Sequence, residues 1–210
     1  EILQPGEISL SISAVTALEV KEGTTISVSH LHPMSSLSHV RSKIYGNTLS
    51  SKEMKEIITD IVHGDYSNVF LSAFITACAG KGMEINEIIS LTEAMIATGQ
   101  RIRWGSGIIV DKHCIGGLPG NRTTPIVVSI VTAFGLIMPK TSSRAITSPA
   151  GTADTMEVMT KVNLSMEEII KVVGKEGGCI VWGEIAKLSP ADDILIKVEK
   201  ALDIDSEGQL

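Results

Sequence analysis

Val110-Asp-Lys-His-Cys-Ile-Gly-Gly-Leu-Pro-Gly-Asn-Arg-Thr-Thr124 places a glycine-rich turn, two cations and several hydroxyls between a short apolar run and a longer one. Ile108, Ile109 and Val110 read as a buried strand, and Gly116, Gly117 and Gly120 let the backbone turn tightly. Thr124-Pro125 then supplies an N-cap and a proline at the first helical position, so the run from Ile126 to Phe134 is expected as a helix. Strand, glycine turn and helix start form a local recipe for an anion site, because the free N–H groups of a helix N-terminus attract negative charge. The stretch is not a Walker A loop: Asn121 stands five residues after Gly116, and Arg122 occupies the place of the lysine.

Outward from this loop the alternation continues. Gly135 ends the helix, Leu136 to Pro139 read as a second strand, and Thr141-Ser-Ser-Arg-Ala-Ile-Thr-Ser-Pro-Ala-Gly-Thr152 leaves it as a second loop. Ser165-Met-Glu-Glu168 is a capping box for a helix to about Gly174, Cys179 to Trp182 a further buried strand, and Ser189-Pro190 the start of a last helix. Strands separated by helices indicate a parallel sheet, here of about three strands. Ligands gather at the carboxyl ends of such strands, which puts both loops at one crevice.

Toward the N-terminus the period changes. Ile8, Leu10 and Ile12 alternate, as do Ile26 and Val28, so the first residues read as β structure, and Met34 to Ser38 as a linker. Three short helices follow. Ser50 or Ser51 caps the first, with Met54, Ile57, Ile58, Ile61 and Val62 as its stripe and Gly64 as its end. Ser67 opens the second, with Leu71, Phe74, Ile75 and Cys78 inward and Gly80 after it. Ile85, Ile88, Ile89, Thr92, Met95 and Ile96 make the inward face of the third, which stops at Gly99.

The 210 residues are 43% hydrophobic and 20% charged, with net charge -6, and contain no basic run and only 3% aromatics. That excludes the cationic patches and stacking rings of a nucleic-acid surface and suits a small anionic ligand held by local cations. No apolar run reaches the roughly 20 residues of a bilayer span and no signal-peptide pattern opens the chain, so no membrane association and a cytoplasmic location are expected. Cys78, Cys114 and Cys179 are widely spaced without a C-x-x-C pair, which indicates reduced thiols and neither a zinc site nor a disulfide framework.

Asp111-Lys-His-Cys-Ile-Gly-Gly117 resembles the Lys-His-Ser-Thr-Gly-Gly signature of the thymidine and pyrimidine-nucleoside phosphorylases. Pro119-Gly-Asn-Arg-Thr-Thr124 with Thr141 to Thr152 looks like the AMP phosphorylase branch of that family. Gly177-Gly-Cys-Ile-Val-Trp-Gly183 and Pro190-Ala-Asp-Asp193 follow in the expected order, and the resemblance runs from about Gly6 to Leu210. It implies a mixed α/β fold: the end of a β-rich N-terminal domain over 1–34, a helical dimer-forming bundle over 35–104, the beginning of a mainly parallel α/β domain over 105–186, and a return to the helical domain over 187–210. Members of that family are considerably longer, which marks this chain as their N-terminal part.

The reaction so implied is phosphorolysis of an N-glycosidic bond, for AMP giving adenine and ribose 1,5-bisphosphate. Its partners are a small nucleotide or nucleoside and inorganic phosphate as co-substrate, with no metal or organic cofactor, and a homodimer or larger assembly through the helical domain. By the same resemblance Lys112, Gly116, Gly117, Thr123, Ser143 and Thr152 hold the attacking phosphate, with the Thr124 hydroxyl as a further candidate, and the second loop touches substrate along Arg144, Ala145, Ile146, Thr147 and Ser148. His113 hydrogen-bonds phosphate or ribose, with a structural role for its ring as the alternative. Arg122 and Arg144 can each clamp an oxyanion bidentately, which suits a nucleotide carrying a second phosphate. Asp205 stands where the resemblance places the proton donor to the leaving base, a role that needs a carboxyl kept protonated by burial. Asp192 and Asp193 are alternatives to it, or first-turn residues that complement the helix dipole.

The segment Ile194-Leu-Ile-Lys-Val-Glu-Lys200 lacks the tyrosine and arginine that thymidine phosphorylases present to a pyrimidine, which favours a nucleotide substrate. Three other readings remain: a thymidine or pyrimidine-nucleoside phosphorylase, an anthranilate-type phosphoribosyltransferase with Mg²⁺ on Asp192 and Asp193, and a nucleotide-binding or dimerisation piece without turnover.

Overall fold

A computed structural model of the chain describes residues 3–28, 34–80, 82–113, 122–145 and 150–204. By its contacts the chain divides into two compact units, Glu1–Pro33 and Met34–Leu210. In the first, the described residues hold one short helix, α1 (Ile12–Leu18), and no strand. The alternation of Ile8, Leu10 and Ile12 therefore does not make a strand. Ser11 decides the matter locally, since its hydroxyl accepts from Ala14 N (3.2 Å) and caps the helix at the point where the strand reading would continue.

The second unit opens with a helical bundle of α2 (Ser36–Ile44), α3 (Ser51–His63), α4 (Asn68–Gly80) and α5 (Ile85–Thr98), and its last helix, α9 (Pro190–Leu202), returns to pack against α3, α4 and α5. Ser50 caps α3 reciprocally with Glu53, and Gly64 ends it in the left-handed conformation (φ 84°). Met54, Ile57, Ile58 and Ile61 of α3 meet Leu71, Phe74 and Ile75 of α4 and Ala191 and Leu195 of α9 in one core. Met34 to Ser38 is no linker, because α2 starts inside it: the buried Ser36 hydroxyl donates to Asp60 Oδ2 (2.5 Å) and accepts from Tyr66 Oη (3.0 Å).

Helix α5 turns a different face inward than its isoleucines suggest. Glu87, Ser90, Leu91 and Ala94 are buried, whereas Ile85, Ile89 and Ile96 stay 68%, 49% and 44% exposed. The cause is a buried ion pair. Lys43 Nζ of α2 donates to both Glu87 oxygens (2.8 and 2.7 Å), and Leu49 N adds a third bond (2.8 Å), which fixes the rotation of the helix. Burial alone would raise the Glu87 carboxyl, but the bonds from Leu49 N, Lys43 and Glu84 N together bring it below its ordinary value.

The α/β part contains α6 (Thr123–Ala133), β1 (Met138–Thr141), α7 (Thr152–Glu157), α8 (Met166–Glu176) and β2 (Gly178–Val181). The two strands pair parallel, Met138 with Gly178 through Thr141 with Val181, and single parallel bridges join Ile109 to Ile137 and Asn163 to Trp182. Ile169 and Val173 of α8 pack on Cys179 and Val181 beneath them. Helix α6 lies so close to β2 that a Cβ on Gly178 would sit 2.5 Å from Thr132 Cγ2 and 2.8 Å from Met138 O. The Ser165–Glu168 capping box forms as expected.

Three local expectations shift. Ile108 to Val110 is not a buried strand but one bridge, with Ile108 68% exposed, because no described residue pairs on its outer side. The second strand lies two residues later than Leu136 to Pro139, drawn by Gly178–Val181. Helix α6 starts at Thr123 with Arg122 at its N-cap, which puts Pro125 third; a first-turn proline costs nothing there, since that N–H has no partner inside the helix. Among the described residues no helix is long and apolar enough to cross a membrane.

The Lys43–Glu87 pair makes a stability prediction. Lys43→Met leaves a buried carboxylate without its cation and should lower the unfolding free energy by about 3–5 kcal/mol in urea titrations, while Lys43→Met with Glu87→Leu should recover most of that loss. A single mutant no less stable than the parent would contradict the pair's role.

Candidate active site

Two loops leave neighbouring parallel segments at the same end. Val110 N donates to Ile137 O (2.9 Å) and Ile137 N to Ile108 O (3.2 Å), so the segment before Asp111 lies beside the one that becomes β1. The root of the first loop carries Lys112 and His113. Lys112 is part-buried and its Nζ donates to Thr124 Oγ1 (3.0 Å), a fully buried hydroxyl in the first turn of α6. A cation is thereby held against a helix N-terminus, the arrangement that favours an anion between them. His113, Arg122 and Thr123 are exposed at the same root.

The second loop is fastened at its neck. Asp154 Oδ2 of α7 accepts from both Ala145 N and Gly151 N (2.9 Å each), and so ties together the two sides of the loop. Gly151 has to be glycine for this closure, since a Cβ there would lie 2.8 Å from Ala145 N and 2.9 Å from Arg144 C. Arg144 completes the clasp. Its guanidinium donates to Asp154 Oδ1 (2.8 Å) and to both Glu157 oxygens (2.7 and 2.8 Å), and stacks 4.4 Å above the Trp182 ring. These carboxylates raise the Arg144 pKa further. Burial pushes Asp154 up, but the bonds from Ala145 N, Gly151 N and Arg144 hold it below the usual aspartate value. The oxyanions that Arg144 clamps are those of its own chain.

Of the expected site residues, Lys112, His113, Arg122 and Thr123 come together around the start of α6, and Arg144, Ala145 and Thr152 around the neck of the second loop, with Ser143 exposed beside it. Gly116, Gly117, Ile146, Thr147, Ser148 and Asp205 lie outside the described residues. Asp192 and Asp193 occupy the first turn of α9. Burial raises both, and with Asp192 and Glu184 close by Asp193 is pushed up to about 6. Cys78 and Cys179 are buried free thiols raised by burial to about 12 and about 11, too high for nucleophiles at neutral pH.

Sequence reading gave Lys140, Asp154 and Trp182 no role at the site. Lys140 is 6% exposed, on the buried face of β1 with Met138, and its Nζ lies 3.5 Å from Asp111 Oδ1. The signal was its position two residues after an inward methionine in a strand. Asp154 could have been read from its place three residues after Gly151, where a first-turn acid reaches back to the N-terminal amides.

With this geometry in place, two models of one family match the chain: the helical bundle domain of a glycosyl transferase family over residues 38–99 and the α/β domain of the same family over 106–206. The chain belongs to this glycosyl transferase family. Among its relatives are the protein named "Putative thymidine phosphorylase" of Sphingopyxis alaskensis, 58% identical over all 210 residues, and "Putative thymidine phosphorylase 2" of an Acidovorax strain, 60% identical over 201. The chain spans 41% and 39% of their lengths. A solved anthranilate phosphoribosyltransferase of Thermus thermophilus shares the fold, with a TM-score of 0.65 and 21% identity over 81% of this chain and 52% of that one. The mixed architecture of a helical bundle and an α/β part with a small parallel sheet is thus the family's.

The clasp at the second loop gives a prediction with a defined sign. Asp154→Asn loses the charge that holds Arg144 and weakens both loop amide bonds, so Ala145 and Gly151 N–H should exchange with solvent at least 10-fold faster, a loss of about 1.4 kcal/mol or more. In the parent, the stability that Asp154 contributes is present above pH 3.8 and is lost as pH falls through its lowered value. The variant should lack that loss, and unchanged exchange would contradict the clasp.

Proposed function

We propose that this chain forms the phosphate-handling part of a nucleotide phosphorylase, with AMP and inorganic phosphate as substrates and adenine and ribose 1,5-bisphosphate as products. The observation that carries the reading is Lys112 Nζ on Thr124 Oγ1 at the N-terminus of α6, beside the roots of two loops. A phosphate oxygen attacks C1′ from the face opposite the base, the C1′–N9 bond breaks, and the base leaves with a proton. Lys112 and the helix terminus hold the attacking dianion, whose negative charge offsets that of an oxocarbenium-like transition state. Asp205 is the proton donor in this scheme, by the resemblance. The relatives' names favour a second reading, phosphorolysis of thymidine, and the absence of tyrosine and arginine from Ile194–Lys200 weighs against it.

The test is adenine release measured by chromatography on the full-length protein, with AMP, CMP, UMP and thymidine in competition and phosphate present or omitted. Release from AMP that requires phosphate and persists in a chelator is expected; loss in the chelator would favour a magnesium-dependent transferase acting through Asp192 and Asp193. Lys112→Met should lower kcat/KM at least 100-fold, about 2.7 kcal/mol of transition-state stabilisation. Thymine release in place of adenine would overturn the substrate assignment.

We also propose a homodimer through the bundle. Ile44, Tyr45, Val69 and Phe70 leave an exposed apolar patch beside a groove of about 460 Å³ between α2 and α4, lined by Ser72, Ala73, Thr76 and Ala77. Small side chains let another helix approach closely, and a charge in the patch opposes that. Val69→Asp should therefore convert a dimer to monomer in sedimentation experiments, and a parent that sediments as a monomer would exclude the interface.

A further inference from the structure

Two buried lysines of this molecule are paired very differently. Lys43 meets Glu87 at 2.7 and 2.8 Å, and that carboxylate is itself 1% exposed. Lys140 is as deeply buried, yet the carboxylate facing it, Asp111, lies 3.5 Å away and is 58% exposed. A buried ammonium is costly unless an anion approaches it closely, and a solvated carboxylate at that distance offsets little of the cost. Lys140 is placed to receive a better partner.

Its position in the sheet says which partner. Ile109 and Ile137 are bridged in parallel register, and Lys112 and Lys140 each stand three residues beyond them. Counted from that bridge, the two lysines stand at matching positions on adjacent segments, one at the root of each loop. Arg144, the other cation of the second loop, has its guanidinium on Asp154 and Glu157. Lys140 is the cation the second loop's own strand brings to the crevice.

We propose that Lys140 is a phosphate-recognition residue, which with Lys112 holds a phosphate dianion at the roots of the two loops. That dianion is either free phosphate or the phosphate ester of a nucleotide; the inference rests on the placing of the site in the proposed function, and not on turnover. Asp111 occupies Lys140 when no anion is bound and gives it up when one arrives, so it acts as a competing carboxylate.

The experiment is calorimetric titration of the full-length protein with inorganic phosphate and, separately, with AMP and adenosine, for the parent, Lys140→Met, Lys140→Arg and Asp111→Asn. Lys140→Met should weaken phosphate or AMP binding roughly 10- to 100-fold, the loss of one charge-assisted bond, and leave adenosine within twofold. Loss confined to inorganic phosphate identifies the free ion as the ligand, and loss confined to AMP identifies the ester. Lys140→Arg should retain most of the affinity. Asp111→Asn removes the competitor and should tighten the same anion severalfold, a gain that a purely structural Lys140–Asp111 pair would not produce; it also decides the matter if Lys140→Met fails to fold. Anion affinities within twofold of the parent in folded Lys140→Met, unchanged or weaker binding in Asp111→Asn, or a parent that binds neither anion would overturn the proposal. A parent that binds phosphate through Lys140 but releases no base would instead sink the phosphorylase reading alone.

Discussion

The hydrogen bonds from Val110 N to Ile137 O and from Ile137 N to Ile108 O hold two segments side by side in parallel. Parallel neighbours have their carboxyl ends at the same edge, so the loops that follow them share one crevice without any further contact between the loops. Met138 to Thr141 then continues the pairing with Gly178 to Val181, and Ser142 N adds one more bond to Val181 O (2.8 Å), which anchors the second loop at its first residue. Lys112, Lys140, Thr124 and the clasp around Arg144 all take their positions from this short ladder.

At the crevice, charge is divided by burial and by competition. Arg144 is drawn away by two carboxylates and a tryptophan face, and the result is a rigid loop neck with no free guanidinium. A planar, delocalised cation suits that task because it bonds two carboxylates and stacks at the same time. The lysines are compact point charges on flexible stems, and they remain at the roots, where a mobile phosphate can be met from more than one direction. The same division explains Gly151: the neck closes only if no Cβ separates it from Ala145.

The bundle follows a different constraint. Glu87 is held by Lys43 and by Leu49 N, and this single polar cluster outweighs three isoleucines in setting the face of α5. A buried carboxylate left unpaired costs more than an exposed isoleucine does, so the helix rotates to satisfy the charge. The isoleucines it leaves outside, with the patch near Val69, give the bundle an apolar exterior of the kind that a partner covers.

Much of the local structure was legible in single residues. Ser50, Ser165 and Ser189-Pro190 mark helix starts, Gly64 marks a helix end, and the alternation from Val110 onward announces a parallel α/β arrangement; capping and glycine conformation act within a few residues of chain, so they survive out of context. The loop residues Lys112 and Arg144 could also be picked out by type. Their partners could not, because Asp154, Glu157 and Trp182 reach Arg144 from other elements, and Lys140 meets Asp111 only across the sheet. The first residues misled for the related reason that Ile8 to Ile12 fits a strand and Ser11 fits a cap, and hydrogen bonding chose the cap. The chain by itself determined where elements start and stop and which residues can carry charge. Tertiary structure alone decided which charges neutralise one another, since that depends on distance and burial between segments far apart in sequence.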